Sequence, residues 1–287
     1  MIQAIRSAFT GASLSQRDFP YFAYERPLAI AHRGGMACWP ENTVYAFQQA
    51  DALGVDALEM DVHRTRDGYL VVSHDPMVDR CTNGKGAIEQ LTLEEVQSFD
   101  AGHHFSPDGG KSFPYRGKGI RIPTMREVFE RFGHLRYIID AKPPRPEVAL
   151  QLAALARECE VTDKVCLASF HRPNVAAIRS AHPDIATSGS EPEVQVFWAA
   201  QFLRLEGLYK NDALALQVPP VQYGVPFLTQ HFIRAAHASN MHVHVWTINE
   251  PEEMRRLLDL GADGILTDFP ARLLEVMGRG PGSPKPA

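Results

Sequence analysis

Short apolar runs with strand character alternate with segments of helical periodicity from Leu28 to Met277. This alternation favours a parallel sheet covered by helices over two separately stacked layers. Nine runs have strand character, and they begin at Leu28, Ala57, Tyr69, Arg136, Val165, Ile185, Ala215, Val243 and Gly264. A barrel of alternating strands and helices contains eight parallel strands, so one run is in excess.

The third run, Tyr69–His74, accounts for the excess. Only the tripeptide Arg66-Asp67-Gly68 separates it from the second run. Parallel strands need a crossover of about a dozen residues, whereas a turn ending in Asp-Gly forms an antiparallel hairpin. The third run is therefore expected to fold back on the second, which leaves eight parallel strands. The sequence predicts an α/β protein, a (β/α)₈ TIM barrel with a small insertion after this hairpin.

The predicted organisation is one barrel with short additions. Residues 76–123 are rich in Gly, Asn, Asp and Pro, with one helical signature at Thr92-Leu93-Glu94-Glu95, and are too few for an independent domain. The expected divisions are an N-terminal extension at 1–26, a barrel at 27–278 and a disordered tail at 279–287. Ile2, Ile5 and Phe9 fit either a short surface helix or a frayed terminus or strap across the barrel bottom.

Composition narrows the classes of partner. The chain has 287 residues, 45% of them hydrophobic, and a formal charge of −5 without a basic block. Nucleic acid and strongly anionic membranes are therefore not expected as primary partners.

No apolar run reaches the length of a signal peptide or a membrane span, so a cytoplasmic location is expected and peripheral membrane contact stays open. The four cysteines form no CxxC pair and are expected to be reduced, and the sequence does not decide the oligomeric state.

Polar residues cluster where the predicted strands end. The first strand runs into His32-Arg33, the hairpin returns at His74, and the seventh strand runs into Trp246-Thr247-Ile248-Asn249. The second strand contains Glu59-x-Asp61, and the following barrel strand ends in Asp140-Ala141-Lys142. Catalytic groups of such barrels lie at the carboxyl ends of the strands, so these side chains are expected to meet.

The acidic residues predict a cation site. Glu59 and Asp61 lie two apart on a strand and point to the same face, where burying both is costly without a cation. Asp140 would complete an all-oxygen set suited to Mg²⁺ or Ca²⁺ rather than to zinc. The alternative is that Glu59 and Asp61 face solvent at a strand end, or pair with Arg64 and Arg66.

The basic residues have two interpretations as well. His32 and His74 could act as general acid and general base, although a lone histidine is more often structural. Arg33 and Lys142 could bind phosphate oxygens, pair with the same carboxylates, or do both. Trp246 fits core packing or ligand stacking.

In this order the motifs resemble those of the glycerophosphodiester phosphodiesterase family. They are His32-Arg33-Gly34, Pro40-Glu41-Asn42-Thr43, Glu59-x-Asp61, Asp67-Gly68, His74-Asp75, Trp246-Thr247-Ile248-Asn249 and Gly264-Ile265-Leu266-Thr267-Asp268. The resemblance extends from about Leu28 to Leu274. It implies a barrel with an insertion, a divalent cation, and hydrolysis of a phosphodiester to glycerol 3-phosphate and an alcohol.

The resemblance also implies roles for single residues. It makes Glu59 and Asp61 metal ligands, His32 and His74 the acid–base pair, and Arg33 and Lys142 the phosphate clamp. Glu41 would be an active-site residue without an assigned role. By analogy, a hydroxyl of the substrate is expected to attack the phosphate and give a cyclic phosphate that water opens.

One position departs from the family pattern. Asp140-Ala141-Lys142 stands where the family usually has Glu-x-Lys, and the shorter aspartate changes how a metal would be held. Asp-x-Lys resembles the branch that includes lysophospholipase D enzymes, so a lysophospholipid is an alternative substrate. A non-catalytic phosphate-binding barrel and a phosphomonoesterase or other metal hydrolase are the remaining alternatives.

The segment 193–209 is unusually apolar. It fits a barrel helix packed on the sheet or, with Tyr223 and Phe227, a dock for an acyl chain near the mouth of the site. Phe105, Phe113 and Tyr115 of the insertion could contribute to such a dock.

Overall fold

The computed structural model describes residues 19–205, 209, 212–222 and 224–280. Most of the strands in this part form one sheet of nine strands, and two more form a separate small hairpin. The strands are β1 (Leu28–Ala31), β2 (Ala57–Arg64), β3 (Leu70–Val72), β4 (Arg136–Ala141), β5 (Val165–Ala168), β6 (Ala186–Thr187), β7 (Ala215–Val218), β8 (Val221–Gln222), β9 (Val225–Pro226), β10 (His242–Val245) and β11 (Gly264–Thr267).

Eight strands run parallel in the order β6-β5-β4-β2-β1-β11-β10-β7. Their two outer members meet at a parallel bridge between Ser188 and Ala215, which nearly closes the sheet into a barrel. A hydrogen bond of 2.8 Å from the Gly189 amide to the Ala215 carbonyl supports this seam. The predicted (β/α)₈ barrel is confirmed.

β3 is the strand that departs from the parallel order. It pairs antiparallel with the end of β2, with Val72 opposite Val62 and Leu70 opposite Arg64. Thr65 and Gly68 make the turn, and Gly68 has a φ of 92°, a conformation that glycine adopts without strain. The predicted hairpin is therefore present. The β8–β9 hairpin, in contrast, was not expected from the sequence.

Nine α-helices lie in the described part of the chain. They are α1 (Val44–Leu53), α2 (Leu93–Ser98), α3 (Met125–Phe132), α4 (Pro146–Glu158), α5 (Arg172–Ala181), α6 (Glu191–Phe202), α7 (Gln230–Ala238), α8 (Pro251–Asp259) and α9 (Pro270–Val276). Local chemistry determines where several begin, because Thr43, Thr92, Thr124 and Thr229 each accept a hydrogen bond from an amide in the first turn. None of these helices is long and apolar enough to cross a membrane.

A short N-terminal segment fills one end of the barrel. Phe19, Tyr21 and Phe22 are buried in one cluster with residues at the start of the strands, among them Leu28 and Ala57. The hydroxyl of Tyr24 lies 2.7 Å from Nδ1 of His242 on β10. Part of the predicted N-terminal extension is thus a plug of the barrel. Ile2, Ile5 and Phe9 lie outside the described residues.

The insertion has a small apolar core of its own. Val78, Ile88, Val96 and Ile122 are buried together with Val71 of β3. Its helix α2 begins with a reciprocal capping box between Thr92 and Glu95, as the sequence signature indicates. The insertion is therefore an ordered part of the fold that packs on the hairpin.

The last described residues are fixed to the barrel by a buried ion pair. Arg279 is 8% exposed, and its guanidinium holds both carboxylate oxygens of Asp56, whose side chain is fully buried. Asp56 also accepts a hydrogen bond of 2.7 Å from the amide of Ala29 in β1. Arg279, which the sequence assigned to the tail, belongs to the barrel body. Residues 281–287 lie outside the described residues.

We expect Arg279→Ala to lower the free energy of unfolding by about 3 kcal/mol, because it leaves the Asp56 carboxylate buried without its main counter-charge. Urea unfolding followed by circular dichroism measures the change. Arg255→Ala is the matched control, since Arg255 forms an exposed pair with Glu252 at 3.9 Å and its removal should change stability by under about 1 kcal/mol. Equal effects of the two substitutions would contradict the anchoring role of Arg279.

Candidate active site

A pocket opens where the barrel strands end, and its empty volume with the open mouth is about 950 Å³. Eight of the predicted site residues line it: His32, Arg33, Glu59, Asp61, His74, Asp140, Lys142 and Trp246. Glu41 is not in the lining and contacts the guanidinium of Arg33 at 3.0 Å. The structure therefore brings together residues that are up to 214 positions apart in the chain.

Arg33 occupies a constrained turn after β1. It has a φ of 50°, in the left-handed region that a residue other than glycine adopts at a cost. Its amide donates to Glu59 at 2.9 Å, and its carbonyl accepts from the Asn42 amide at 2.9 Å. A Cβ on the next residue, Gly34, would lie 2.8 Å from the Cβ of Ala46. These contacts fix the turn that presents His32 and Arg33 to the pocket.

Three carboxylates lie side by side on β2 and β4. Glu59, Asp61 and Asp140 are 6%, 1% and 7% exposed, and Asp61 lies opposite Asp140 in the strand register. The alternative that Glu59 and Asp61 face solvent is therefore wrong. Lys142 links two of the three, with its ammonium 2.9 Å from Asp61 and 2.8 Å from Asp140.

Burial and mutual repulsion shift the protonation of this cluster. Burial, followed by the negative charge of Asp61, raises the pKa of Glu59 to about 7. Burial also raises the pKa of Asp140, although the adjacent Lys142 opposes that shift. The cluster is thus short of positive charge even with Lys142 in contact.

The oxygen donors are of the type that Mg²⁺ and Ca²⁺ prefer. Oδ1 of Asp140 is buried without a hydrogen-bond partner in the described part of the chain. Within that same part, no three His, Cys, Asp or Glu side chains stand in a ready-made metal-binding arrangement, and Lys142 bridges two of the three carboxylates instead. The donor chemistry and the unsatisfied oxygen fit a divalent cation.

Asp268 and Asn249 hold the ring of His32. Asp268 Oδ1 lies 2.6 Å from Nδ1 of His32, and its Oδ2 accepts from the side-chain amide of Asn249 at 2.8 Å. Burial alone would lower the pKa of His32, but the charges of Glu59 and Asp268 outweigh it and raise that pKa. No role was predicted for the side chains of Asp268 and Asn249, although both belong to motifs that carry the family resemblance and lie at the ends of the last two barrel strands.

His74 is held by a different carboxylate. Nδ1 of His74 lies 2.7 Å from Oδ1 of Asp75, whose other oxygen contacts Nε of Arg80 at 2.6 Å. Burial alone would raise the pKa of Asp75, but the hydrogen bonds from Arg80 and His74 lower it to about 2. Arg80 was also missed in the sequence, because nothing local in the insertion marks it.

Part of the pocket lining is aromatic. Phe170 and Trp246 meet edge to face with ring centroids 6.4 Å apart, and Lys142 lies 5.5 Å from the centroid of Phe170. Gln217 also lines the pocket, and its Nε2 is buried without a hydrogen-bond partner among the described residues. Trp246 therefore contributes to the pocket and to the packing of the barrel end.

The apolar segment at 193–209, for which the sequence left a packed barrel helix and an acyl dock open, divides between the core and the surface. Phe197 is fully buried in the core, whereas Phe202, Leu203 and Leu205 are 69%, 63% and 45% exposed. Trp198 stacks on Phe202 and on Phe227, at 5.7 Å in each case. Phe105, Phe113 and Tyr115 are not among the residues lining the pocket. Tyr223 and Leu208 lie outside the described residues.

Known proteins resemble this chain over most of its length. Residues 32–272 match the glycerophosphoryl diester phosphodiesterase family. A glycerophosphodiester phosphodiesterase of Caldanaerobacter subterraneus subsp. tengcongensis is 31% identical over 263 residues, which is 89% of this chain and 99% of the relative. Mouse lysophospholipase D GDPD1 is 26% identical over 269 residues, 86% of this chain and 85% of the relative.

Solved structures support the fold. A phosphodiesterase of Oleispira antarctica in complex with the product sn-glycerol-3-phosphate has a TM-score of 0.71 and 24% identity, covering 90% of this chain and 99% of that one. A glycerophosphodiester phosphodiesterase of Agrobacterium tumefaciens has a TM-score of 0.69 and 23% identity, covering 88% and 100%.

We expect Glu59→Gln to change how stability depends on pH when EDTA is present. The folded-state pKa of Glu59, about 7, lies above that of an unfolded chain. The contribution of Glu59 to the free energy of unfolding is therefore fully present below about pH 4 and is lost as the pH rises through 7. Between these limits the wild type should lose about 3 kcal/mol relative to Glu59→Gln.

Urea unfolding at pH 4.5 and pH 8 measures this difference. Glu94→Gln, at an exposed position of α2, is the control and should follow the wild type at both pH values. A Glu59→Gln variant whose stability runs parallel to that of the wild type would contradict the raised pKa.

Proposed function

The chain belongs to the glycerophosphoryl diester phosphodiesterase family, and on this premise we propose that it hydrolyses glycerophosphodiesters to glycerol 3-phosphate and an alcohol. The observation that carries the proposal is a single pocket with two imidazoles, each held at Nδ1 by its own carboxylate, around a buried cluster of acids and cations. This arrangement suits transfer of one proton to a phosphodiester and removal of another from it.

The two histidines supply the proton transfers. Because Nδ1 of His32 faces Asp268 and Nδ1 of His74 faces Asp75, Nε2 of each ring is the nitrogen that can exchange a proton with the substrate. One imidazole takes the proton of the glycerol hydroxyl next to the phosphate, and that oxygen attacks phosphorus. The other imidazole protonates the departing alcohol oxygen. Water then opens the cyclic phosphate with the two proton roles exchanged.

The charged side chains hold the phosphate. Arg33 and Lys142 both line the pocket and carry positive charge toward it, Arg33 as a planar fork and Lys142 as a point charge. Their pairing with Asp61 restrains both side chains. Glu41 lies behind Arg33 and acts through it, not on the substrate.

A divalent cation fits this mechanism. Glu59, Asp61 and Asp140 would hold it, because they supply oxygen donors with too little positive charge nearby and one unsatisfied oxygen on Asp140. When bound, Mg²⁺ or Ca²⁺ supplies stabilisation of the negative charge that develops on the phosphate oxygens. The side chain of Asp140 is shorter than the glutamate usual at this position in the family, so its carboxylate extends less far toward a cation. The ammonium of Lys142, 2.8 Å away, places a positive charge beside this carboxylate.

Phosphorus NMR with glycerophosphocholine tests the function. We expect a phosphomonoester signal with Mg²⁺ or Ca²⁺, none with EDTA, and a loss of about 1,000-fold in rate for His74→Ala and for Asp61→Asn. Asp163→Asn, at an exposed position before β5, is the matched control and should retain full activity.

Other outcomes separate the alternatives. Rapid cleavage of a diester without a hydroxyl next to the phosphate would contradict the cyclic phosphate. Hydrolysis of glycerol 3-phosphate in place of the diester would indicate a phosphomonoesterase. Phosphate binding without turnover of any substrate would favour the non-catalytic barrel.

Lysophospholipids are a second candidate substrate, favoured by the exposed apolar end of α6. Glu191 and Val194 at the start of α6 line the pocket, and Phe202 at its end is 69% exposed. The helix has 12 residues and spans about 18 Å at 1.5 Å per residue. An acyl chain lying along this helix would reach from the pocket to Phe202, Leu203 and Leu205. The sequence similarity to mouse lysophospholipase D GDPD1 agrees with this candidate.

If lysophospholipids are substrates, Phe202→Ser should lower the rate with lysophosphatidylcholine about 10-fold and leave the rate with glycerophosphocholine unchanged. The reason is that it removes about 1.5 kcal/mol or more of apolar contact with the acyl chain alone. Tyr69→Ser removes an exposed aromatic side chain from the β2–β3 hairpin and serves as the control. Equal effects of Phe202→Ser on the two substrates would exclude an acyl-binding role.

A further inference from the structure

Arg80 joins two parts of the candidate site without entering the pocket. It lies in the insertion, eight residues after the end of β3, and its side chain is 46% exposed. Its Nε contacts Asp75 at 2.6 Å, and its two terminal nitrogens contact the two oxygens of Glu41 at 2.7 and 2.8 Å. One guanidinium thus uses all three nitrogens to bridge the carboxylates that support His74 and Arg33.

The Glu41 contact aims the side chain of Arg33. Glu41 has a side chain only 9% exposed, and its Oε1 accepts from Nη1 of Arg33 at 3.0 Å while it also accepts from Arg80. Two parallel hydrogen bonds from one guanidinium fix the plane of a carboxylate. Arg80 therefore sets the direction in which Glu41 presents its oxygen to Arg33, and with it the position of the Arg33 guanidinium.

The Asp75 contact sets the ring of His74. With Oδ2 bound to Arg80, Asp75 presents Oδ1 to Nδ1 of His74 at 2.7 Å. The side chains of His74 and Asp75 are 35% and 29% exposed, so burial alone does not hold them in place. A carboxylate that is itself anchored keeps an imidazole in one tautomer and one orientation.

We propose that Arg80 is a positioning residue that couples the phosphate-binding side chain Arg33 to the proton-transferring side chain His74. The inference rests on the roles of Arg33 and His74 in the proposed function. It gives the insertion a part in the reaction: one of its side chains sets the relative placement of two groups from different elements of the barrel. No contact between Arg80 and the substrate is needed.

Arg80→Ala tests the proposal in the full-length protein with glycerophosphocholine. We expect kcat to fall about 100-fold. KM should rise because the Arg33 guanidinium is no longer held in place to bind the phosphate. The unfolding temperature should stay within a few degrees of that of the wild type. Millimolar guanidinium chloride, far below denaturing concentrations, should restore part of the activity because it can occupy the gap between Asp75 and Glu41. Arg80→Lys should restore less than guanidinium does, since an ammonium cannot bridge both carboxylates in the same plane.

Arg145→Ala is the matched control. Arg145 is 48% exposed and pairs with Glu89 of the insertion at 2.8 Å. The substitution therefore removes an arginine that is about as exposed as Arg80 but whose ion pair does not line the pocket. We expect its activity to lie within twofold of the wild type and to be insensitive to guanidinium. Arg80→Ala with wild-type kinetics would overturn the proposal. So would a parallel loss of activity and thermal stability in Arg80→Ala and Arg80→Lys without rescue, because that result indicates support of the fold alone.

The activity of the wild-type protein distinguishes a failure of this inference from a failure of the proposed function. An active wild type with an unaffected Arg80→Ala variant overturns the role of Arg80 and leaves the function standing. An inactive wild type overturns the function, and binding of glycerol 3-phosphate measured by calorimetry then tests Arg80 independently of turnover. A wild type that binds this ligand about 10-fold more tightly than Arg80→Ala supports the positioning of Arg33, and equal or absent binding overturns it.

Discussion

The structure depends on keeping three carboxylates almost buried at one end of the barrel. Glu59, Asp61 and Asp140 come from two neighbouring strands whose register places Asp61 opposite Asp140. Such a cluster is stable only if positive charge compensates it, and Lys142 and Arg33 provide part of that charge. Burial and then the negative charge of Asp61 still raise the pKa of Glu59, against the opposing charges of His32 and Arg33. Keeping these carboxylates together therefore depends on the cationic side chains that reach them from neighbouring elements.

Around this cluster, groups outside the pocket control the groups inside it. His32 is oriented by Asp268 from the end of the barrel, and His74 is oriented by Asp75 beside the insertion. The two supports differ in burial, since the Asp268 side chain is 15% exposed and that of Asp75 is 29% exposed. The His32 side of the site is therefore built into the barrel, whereas the His74 side relies on a bridge from Arg80. Arg80 belongs to an insertion that packs around its own small apolar core, and this packing fixes the backbone from which Arg80 extends.

The opposite end of the barrel supplies stability without taking part in the pocket. Phe19, Tyr21 and Phe22 close it with apolar contacts, and the pair between Arg279 and Asp56 fastens the end of the described chain to β1 and β2. This division follows a general property of such barrels, in which the carboxyl ends of the strands carry the chemistry and the other end carries stability. The strain at Arg33 and the repulsion among the carboxylates can persist because the far end is well packed.

The sequence by itself determined the eight parallel barrel strands, the β2–β3 hairpin and the end of the barrel at which the predicted site residues lie, but not the β8–β9 hairpin. These features follow from local rules: the alternation of apolar runs, a three-residue turn ending in Asp-Gly, and polar residues at strand ends. It also indicated which side chains would meet, because parallel strands bring their carboxyl ends to one edge. Only the tertiary structure decided how those side chains are held. The contact between His32 and Asp268 joins residues 236 positions apart, and that between Arg80 and Glu41 joins residues 39 apart. No local pattern encodes these pairs, since they depend on the closure of the barrel and on the path of the insertion.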